Sequence, residues 1–305
     1  MATKRFHEGE RAVQERYGTR DGVAGHETKI FESKLLNGSI ARFVGSLPLV
    51  ATATRDPDGW PFPSVEPGPL RILGPEAVAL PSVRDHAQLA EHLRGHPKIG
   101  MLAIDLARRF RFRINGRATI DQDGLAVQIE HAFGNCQQYL HRIDQGALTT
   151  PAIPEVAPWR SRLEPPDVQA LAEATHVFIA TQDADGDLDA QYKGGLPGWL
   201  TVDQDGDIAF PDYYGNGYFM SLGNLQQDPR LGMLVPGGAL LFGHASLDDR
   251  PEVVGHFPGA ERVIRVRPDR IASARGLMPF EETFVAASPM FAEPASTRDD
   301  GCRIA

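Results

Sequence analysis

The amino-acid sequence predicts a mainly β protein with a few short helices, built from two copies of one domain. Three motifs occur twice, in the same order: TRDPDG at 54–59 and TQDADG at 181–186, LRGHPKIGML at 93–102 and LQQDPRLGML at 225–234, and GRA at 116–118 and GHA at 243–245. The copies lie 127, 132 and 127 positions apart. This near-constant spacing indicates a duplication, and a seam between two stacked copies is where a small-molecule site is expected.

The first copy has the pattern of short strands joined by turns. Residues 49–54 (LVATAT) are apolar and β-branched, as in a buried strand, and the Pro and Gly of 56–59 favour a hairpin turn. Further strands are predicted near 63–66, 70–73, 77–80, 99–105 and 109–120, with a break before Gly116. One helix is predicted near 40–45 and another through Leu89 and Leu93, with Ser82 as its N-cap.

The second copy restarts the same order, and the proline content divides the chain. Strands are predicted near 176–181, 189–193, 199–202 and 207–210, and helices near 168–173 and 219–227. Closely spaced strands without regular strand–helix alternation indicate a barrel or sandwich of about six strands per copy. The predicted divisions are an N-terminal arm with a short helix (1–34), a first domain (35–145), a Pro-rich linker (146–166), a second domain (167–275) and a loosely ordered tail (276–305).

Composition limits the partners and the location. A net charge of −9 argues against nucleic acid, because phosphate backbones need a basic surface. Two cysteines, Cys136 and Cys302, form neither a disulfide framework nor a zinc framework. The N-terminus lacks the apolar segment of a signal peptide, and no apolar run approaches the roughly 18 residues of a membrane span. These observations predict a cytoplasmic protein with no membrane partner.

The first candidate site lies in residues 189–199 (DAQYKGGLPGW). Gln191 and Lys193 share one face of the predicted strand, and Tyr192 takes the other face. Gly194 and the glycines after it let a ligand approach the backbone closely. The segment therefore favours a phosphate site, and the alternative is a tight bend with a solvent-facing lysine.

The second candidate site lies in residues 210–225, where aromatic residues alternate with glycine and asparagine. Tyr213 offers a flat ring, Gly215 permits close backbone approach, and Asn216 and Asn224 offer hydrogen-bonding groups. This combination favours a planar heterocycle. The alternative is a glycine-rich loop that leads into a helix.

Arginines are concentrated on one predicted strand. Strict alternation places Arg109, Arg111 and Arg113 on one face, with Phe110 and Phe112 on the other. Such a face could bind an anion or form ion pairs between domains, although a solvated edge strand gives the same pattern.

Other catalytic and metal motifs are weak. His131, Cys136 and His141 match no standard zinc spacing, so no metal site is predicted. No G-x-S-x-G segment, Walker loop or dinucleotide fingerprint follows a predicted strand, and the catalytic residues stay unassigned.

Several segments together resemble the pyridoxamine 5′-phosphate oxidase-like proteins with the FMN-binding split barrel, in particular a bacterial two-barrel branch. The matching segments are 6–16 (FHEGERAVQER), 109–118 (RFRFRINGRA), 133–139 (FGNCQQY), 193–198 (KGGLPG), 210–216 (FPDYYGN) and 222–225 (LGNL). In that branch Ser-His precedes the position of Lys193 and Pro-Lys follows that of Cys136. This chain has Gln191-Tyr192 and Gln137-Gln138 instead.

The resemblance implies tandem six-stranded split barrels, paired as a homodimer or an intrachain pseudo-dimer, with FMN in the seam. It implies an FMN-dependent oxidoreductase acting on a small molecule, with NAD(P)H or a reductase as electron donor. The implied cofactor-binding residues are Gln191, Tyr192, Lys193, Gly194, Tyr213, Gly215, Asn216, Asn224, Arg109 and Arg111, with Lys193 and Gln191 at the phosphate. Two alternatives stay open: haem in the same seam of an enzyme of specialised metabolism, and a non-catalytic flavin-binding module.

Overall fold

The computed structural model describes residues 5–31, 36–121, 124–146 and 153–291. Residues 1–4 and 32–35 of the predicted arm and its boundary, 147–152 of the predicted linker, and 292–305 of the predicted tail with Cys302 lie outside the described residues. In the described part, the predicted mainly β fold class is confirmed, and two large antiparallel sheets account for most of it.

The first sheet contains seven strands, one more than the predicted six. They are β1 (Leu49–Arg55), β2 (Pro61–Pro67), β3 (Arg71–Gly74), β4 (Ala77–Leu80), β5 (Lys98–Asp105), β6 (Phe110–Asp121) and β7 (Gly124–Gly134), in the spatial order β2-β1-β5-β6-β7-β4-β3. The break predicted before Gly116 is a register shift between Asn115 and Gly116 within β6. The additional strand is β7, which pairs antiparallel with β6.

The second sheet repeats the first strand by strand. It contains β10 (His176–Gln182), β11 (Leu188–Gly194), β12 (Thr201–Val202), β13 (Ile208–Tyr213), β14 (Arg230–Val235), β15 (Ala239–Asp248) and β16 (Ala260–Arg275), in the order β11-β10-β14-β15-β16-β13-β12. Each position in this order corresponds to the same position in the first sheet. Three short strands lie outside these seven-strand paths: β8 (Arg142–Gln145), β9 (Glu155–Val156) and β17 (Glu282–Ala286).

Short helices pack around the sheets. They are α1 (Glu8–Arg16), α2 (Arg20–Ala24), α3 (Glu27–Phe31), α4 (Gly38–Val44), α5 (His86–Gly95), α6 (Pro165–Glu173), α7 (Met220–Gln227) and α8 (Pro251–Val254). The predicted N-cap of α5 is wrong. The helix begins at His86, and the Asp85 carboxylate accepts the Gln88 N–H at 2.9 Å, so Ser82 lies too early in the chain to cap it.

Two further expectations need correction. The predicted loose tail contains β17, which pairs antiparallel with β8 from the middle of the chain. The arginine-bearing β6 is not an edge strand, because it lies between β5 and β7. The solvated-edge interpretation of the arginines is therefore wrong.

The sheets pack against each other through reciprocal contacts of the duplicated motifs. Each sheet has its own apolar core, and a third cluster contains residues of both, including Leu102 and Phe178. A Cβ on Gly100 would lie 2.3 Å from the Leu188 carbonyl oxygen, and a Cβ on Gly232 would lie 2.1 Å from that of Pro61. These equivalent glycines allow each central strand to touch the first residues of a strand in the other sheet.

The N-terminal arm is part of this packing. Helix α1 lies across α7, and a Cβ on Gly9 would lie 2.2 Å from the Gly223 carbonyl oxygen. The arm therefore covers one of the two seams between the sheets. In the part of the chain that the structure describes, no helix has the length and apolar character to cross a membrane.

Candidate functional site

A cleft opens at the seam covered by the arm. It encloses about 940 Å³ of empty space, including its open mouth. The first half of the chain contributes Arg111, Arg113, Phe133, Asn135, Cys136, Gln138 and Tyr139, and the second half contributes residues 191–194 and 211–222. Both predicted candidate segments thus border one cleft.

Backbone strain is concentrated at the border of this cleft. Among the described residues, three that are not glycine have a positive φ: Arg109 (59°), Tyr139 (61°) and Phe219 (55°). Tyr139 and Phe219 both line the cleft. Such conformations cost on the order of 1–3 kcal/mol each and cluster at functional sites.

Positive charge dominates one end of the cleft. The Lys193 ammonium is hydrogen-bonded to the Asp212 carboxylate, and the buried Arg262 approaches the other oxygen of Asp212 at 3.7 Å. The Arg262 guanidinium packs on the rings of Tyr17 and Phe219, with 4.1 and 4.7 Å to their centroids. Arg111 adds a third cation and donates from Nε to the Cys136 carbonyl at 2.7 Å. Arg262 also pairs with the Glu261 carboxylate, so the excess of positive charge comes from Lys193 and Arg111, which line the cleft with Asp212. This end therefore attracts an anion.

The N-terminus of α7 faces the same cleft. Phe219 is its N-cap and provides no side-chain hydrogen bond, and the buried Ser221 hydroxyl has no hydrogen-bond partner among the described residues. Unpaired N–H groups at a helix start also favour an anion.

Amide side chains with unused hydrogen-bonding capacity form another part of the wall. The side-chain oxygens of Asn135, Gln138 and Gln191 are buried and accept no hydrogen bond from the described residues. A buried polar atom left without a partner is costly, so these amides suit a ligand edge that carries N–H and C=O groups.

Stacked aromatic rings stand at the mouth. The rings of Tyr139 and Tyr213 lie 4.8 Å apart with an interplanar angle of 14°, and Phe291 packs edge-on against both at 5.4 Å. Phe291 is placed by His141, whose Nδ1 accepts the Ser288 N–H at 3.1 Å and whose Nε2 donates to the Gly195 carbonyl at 2.9 Å. Burial lowers the pKa of His141 to about 4.

A buried polar network closes the inner end of the seam. Arg113 pairs with Asp189, whose carboxylate also accepts from Asn115 at 2.8 Å and from Asn224 at 3.0 Å. Burial alone would raise the pKa of Asp189, but Arg113, Asn115 and Asn224 outweigh it and hold the pKa below its ordinary value. His7 of the arm completes the network with a 2.9 Å hydrogen bond from its ring to Asn224.

The structure brings together eight of the ten predicted cofactor-binding residues and separates two. The eight that line the cleft are Gln191, Tyr192, Lys193, Gly194, Tyr213, Gly215, Asn216 and Arg111. Arg109 lies before β6 in a turn, outside the lining. Asn224 is 2% exposed and is held by Thr181, Asp189 and His7 in the inner network. Its predicted place in the pocket lining does not match the geometry.

Sequence reasoning missed several residues of the site. Arg113 lines the cleft and was visible in the arginine alternation, but the pattern could not distinguish it from Arg109. Asn135, Gln138 and Ser221 had no pattern that marked them. Arg262 lies on β16, far along the chain from the other cations, and only its burial at 1% exposure identifies it.

Among the residues that the structure describes, no group of three or more His, Cys, Asp or Glu side chains is placed to hold a metal ion. His131 stacks near Phe133, and His141 serves the Ser288 and Gly195 contacts.

The first sheet is similar in sequence to a known protein family. Residues 36–151 match the family model described as pyridoxamine 5′-phosphate oxidase. The similarity to that family therefore lies in the first sheet. The matched stretch contains all seven strands of that sheet and the four cleft residues that follow β7, so the resemblance to pyridoxamine 5′-phosphate oxidase-like proteins is confirmed.

Solved structures resemble parts of this pyridoxamine 5′-phosphate oxidase-like chain. A putative pyridoxamine 5′-phosphate oxidase from Lactobacillus delbrueckii is 19% identical, covers 36% of this chain and 93% of its own, and gives a TM-score of 0.29. The heme storage protein HutZ from Vibrio cholerae is 15% identical, with 37% and 95% covered and a TM-score of 0.27. An F420 reductase is 14% identical, with 34% and 93% covered and a TM-score of 0.26. The search of curated proteins found no match.

Proposed function

We propose that this chain is an FMN-dependent oxidoreductase that acts on a small molecule, with the flavin held in the cleft. The observation that carries the proposal is the convergence of cations, unused amides and stacked rings from both halves of the chain in one cavity. A phosphate, a heterocycle with an N–H and C=O edge, and a flat ring system each require one of these three features.

The residues fit the flavin group by group. Lys193 and Arg111 would hold the phosphate, with Gln191 beside them on β11. Asn135 and Gln138 would meet polar atoms of the ring, and Tyr139 and Tyr213 would provide its aromatic wall. When bound, FMN supplies hydride or electron transfer, while the protein orients the cofactor and excludes water.

The seam between the two sheets also bears on the assembly and on the electron donor. The two sheets of one chain act as a pseudo-dimer, which the reciprocal contacts of Gly100 and Gly232 support. NAD(P)H or a partner reductase would deliver electrons to the flavin, and the open mouth would admit the substrate. We assign no general acid or base in the cleft.

A haem-binding function on the same fold is the second candidate. The Cys136 thiol lines the cleft and would serve as the axial ligand, whereas none of the histidines that the structure describes lines it. A third candidate is a flavin-binding module without catalysis, for which the same cofactor residues would serve.

An absorption spectrum of the purified protein separates these candidates. FMN gives two visible bands and strong fluorescence after release, and haem gives one intense Soret band. A catalytically silent module would bind FMN but show no reduction by NAD(P)H or a reductase. A colourless protein that does not bind added FMN would rule out the first and third candidates.

The phosphate assignment has its own test. Lys193→Ala should weaken FMN binding about 10- to 100-fold, because a charge-assisted hydrogen bond contributes about 1.5–3 kcal/mol. Riboflavin, which lacks the phosphate, should bind wild type and variant alike. Arg267→Ala, which removes an exposed positive charge from β16, is the matched control and should leave both affinities unchanged.

A further inference from the structure

A second cavity lies at the other seam between the sheets. It is formed by β2 and α5 of the first half and by β14 and β15 of the second half, with Pro154 and Val156 beside it. The apolar part of its wall is formed by Phe62, Leu89, Val156, Leu234, Leu240 and Leu277, together with two prolines. It encloses about 590 Å³ of empty space, including its mouth.

The duplication relates this cavity to the cleft. Ser64 and Glu66 on β2 occupy the positions that Gln191 and Lys193 occupy on β11, 127 residues later. Leu240 on β15 corresponds in the same way to Arg113 on β6. The second cavity therefore keeps the place of the cleft in the fold but lacks the equivalents of the Lys193 and Arg113 cations.

Two polar side chains on α5 face into the cavity with unused hydrogen-bonding capacity. Gln88 and His92 are one helical turn apart and share a face. His92 is 4% exposed, and Thr54 binds its Nδ1 at 2.9 Å while no described residue binds its Nε2. The Gln88 side-chain amide likewise has no hydrogen bond to a described residue.

The charged groups of the cavity are already satisfied. Glu66 accepts from Ser64 at 2.9 Å and from the Arg84 backbone N–H at 2.9 Å. The Arg84 guanidinium donates to the carbonyls of Val65, Gly276 and Leu277. Burial lowers the pKa of His92 and so favours its neutral form. Asp85 also lines the cavity, and its carboxylate accepts the Gln88 backbone N–H as the N-cap of α5. An anion would therefore find no unpaired cation in this wall.

We propose that this cavity is a second ligand site, which takes a small uncharged molecule with an apolar body and one hydroxyl or carbonyl group bound by His92 Nε2 and Gln88. The site is separate from the cleft, and the two differ in the ligand charge that they favour. The cleft attracts an anion, whereas the second cavity excludes one.

The test uses p-cresol as the probe on the full chain, by calorimetric titration or chemical-shift perturbation. Wild type should bind it with a dissociation constant on the order of 1 mM or below, as expected for eight non-hydrogen atoms. The charged analogues p-hydroxybenzoate and tyramine should bind at least tenfold more weakly. Failure of p-cresol to bind, or equal binding of p-hydroxybenzoate, would overturn the proposal.

Variants locate the binding. Gln88→Ala and His92→Leu should each weaken p-cresol binding severalfold or more, and the exposed Gln226→Ala is the matched control. Because Gln88 is only half-buried, its variant remains informative if His92→Leu does not fold. Binding that is unchanged in Gln88→Ala and in folded His92→Leu contradicts the assignment.

The cleft provides an independent reference. Saturating FMN should leave p-cresol binding unchanged, and Lys193→Ala should do the same. Competition between FMN and p-cresol would place the probe in the cleft and refute a second site. Absence of FMN binding would instead refute the proposed function and leave this test intact.

Discussion

The two seams between the sheets occupy equivalent places in the duplicated fold and have opposite chemistry. In the seam under the arm, Arg113 of β6 meets Asp189 of β11. In the other seam, the equivalent positions are Leu240 of β15 and Phe62 of β2, and Phe62 packs on Phe242 at 5.5 Å. A polar, charged seam is thus paired with an apolar one in a single chain.

Helix contacts follow the same division. Asn224 of α7 binds Thr181 at 3.0 Å, and its equivalent His92 of α5 binds Thr54, the equivalent of Thr181, at 2.9 Å. The contact geometry is conserved between the halves although the chemistry differs. A homodimer would have two identical seams, whereas duplication lets each seam diverge. We therefore expect one FMN per chain.

Replacing the central ion pair should give the largest effect. Arg113→Leu introduces the residue of the other seam and leaves Asp189 buried without its cation, so the free energy of unfolding should fall by about 3–5 kcal/mol. Urea denaturation measures it. The double variant Arg113→Leu/Asp189→Leu should recover part of the loss, because the uncompensated carboxylate is gone. A single-variant loss below about 1 kcal/mol would show that the pair does not hold this seam.

Lowering the pH should destabilise the fold at the mouth of the polar seam, because it protonates His141. The pKa of His141 is lowered to about 4 in the folded protein, whereas the unfolded chain takes up this proton near pH 6.5. Stability is therefore lost as the pH falls from about 6.5 towards 4, by up to about 3 kcal/mol. His141→Gln should flatten this dependence in pH-dependent urea denaturation, while the exposed His256→Gln should not. Equal slopes in wild type and His141→Gln would contradict this role.

An ion-pair clamp around Arg270 holds the apolar seam. The Arg270 guanidinium lies over Phe242 at 4.5 Å, Trp159 at 5.3 Å and Trp60 at 5.6 Å, and it pairs with the Asp56 carboxylate. Arg270→Ala should reduce the free energy of unfolding by about 2 kcal/mol. FMN affinity should stay unchanged, because the clamp lies in the other seam. A parallel loss of FMN affinity would show that the seams are coupled.

The duplication and most elements could be predicted from the sequence, because turns, alternation and repeated motifs are local patterns. Contacts between distant segments could not. Nothing near β17 shows that it pairs with β8, which lies about 140 residues earlier, so the tail was predicted to be loose. The prediction of Ser82 as the N-cap was wrong because Ser82 and Asp85 are both suitable N-cap residues and lie close together in the sequence. Only the observed start of the helix identifies Asp85 as the N-cap.

The candidate site shows the same limit. Glycine and aromatic patterns located residues 191–194 and 213–216 correctly at one cleft, since these lie in two compact segments. The arginine alternation was correct for Arg111 and Arg113 and ended before Arg109, whose φ of 59° takes it out of the strand. The pairing of Lys193 with Asp212 depends on the approach of β11 to β13, for which no short-range pattern exists.

The smallest predicted effect concerns the arm, which covers only the polar seam. Glu10 is 3% exposed and accepts the His7 N–H at 2.8 Å, and burial, followed by the nearby Asp189, raises its pKa well above the ordinary value. The folded protein then keeps a proton that the unfolded chain releases, so stability declines as the pH rises above the usual carboxyl range. Glu10→Gln keeps an acceptor for His7 and removes the titration, and it should flatten this decline in urea denaturation. The exposed Glu8→Gln on the same helix should keep the wild-type dependence of stability on pH. A dependence in Glu10→Gln as steep as in wild type would show that burial of the Glu10 carboxylate is not its cause.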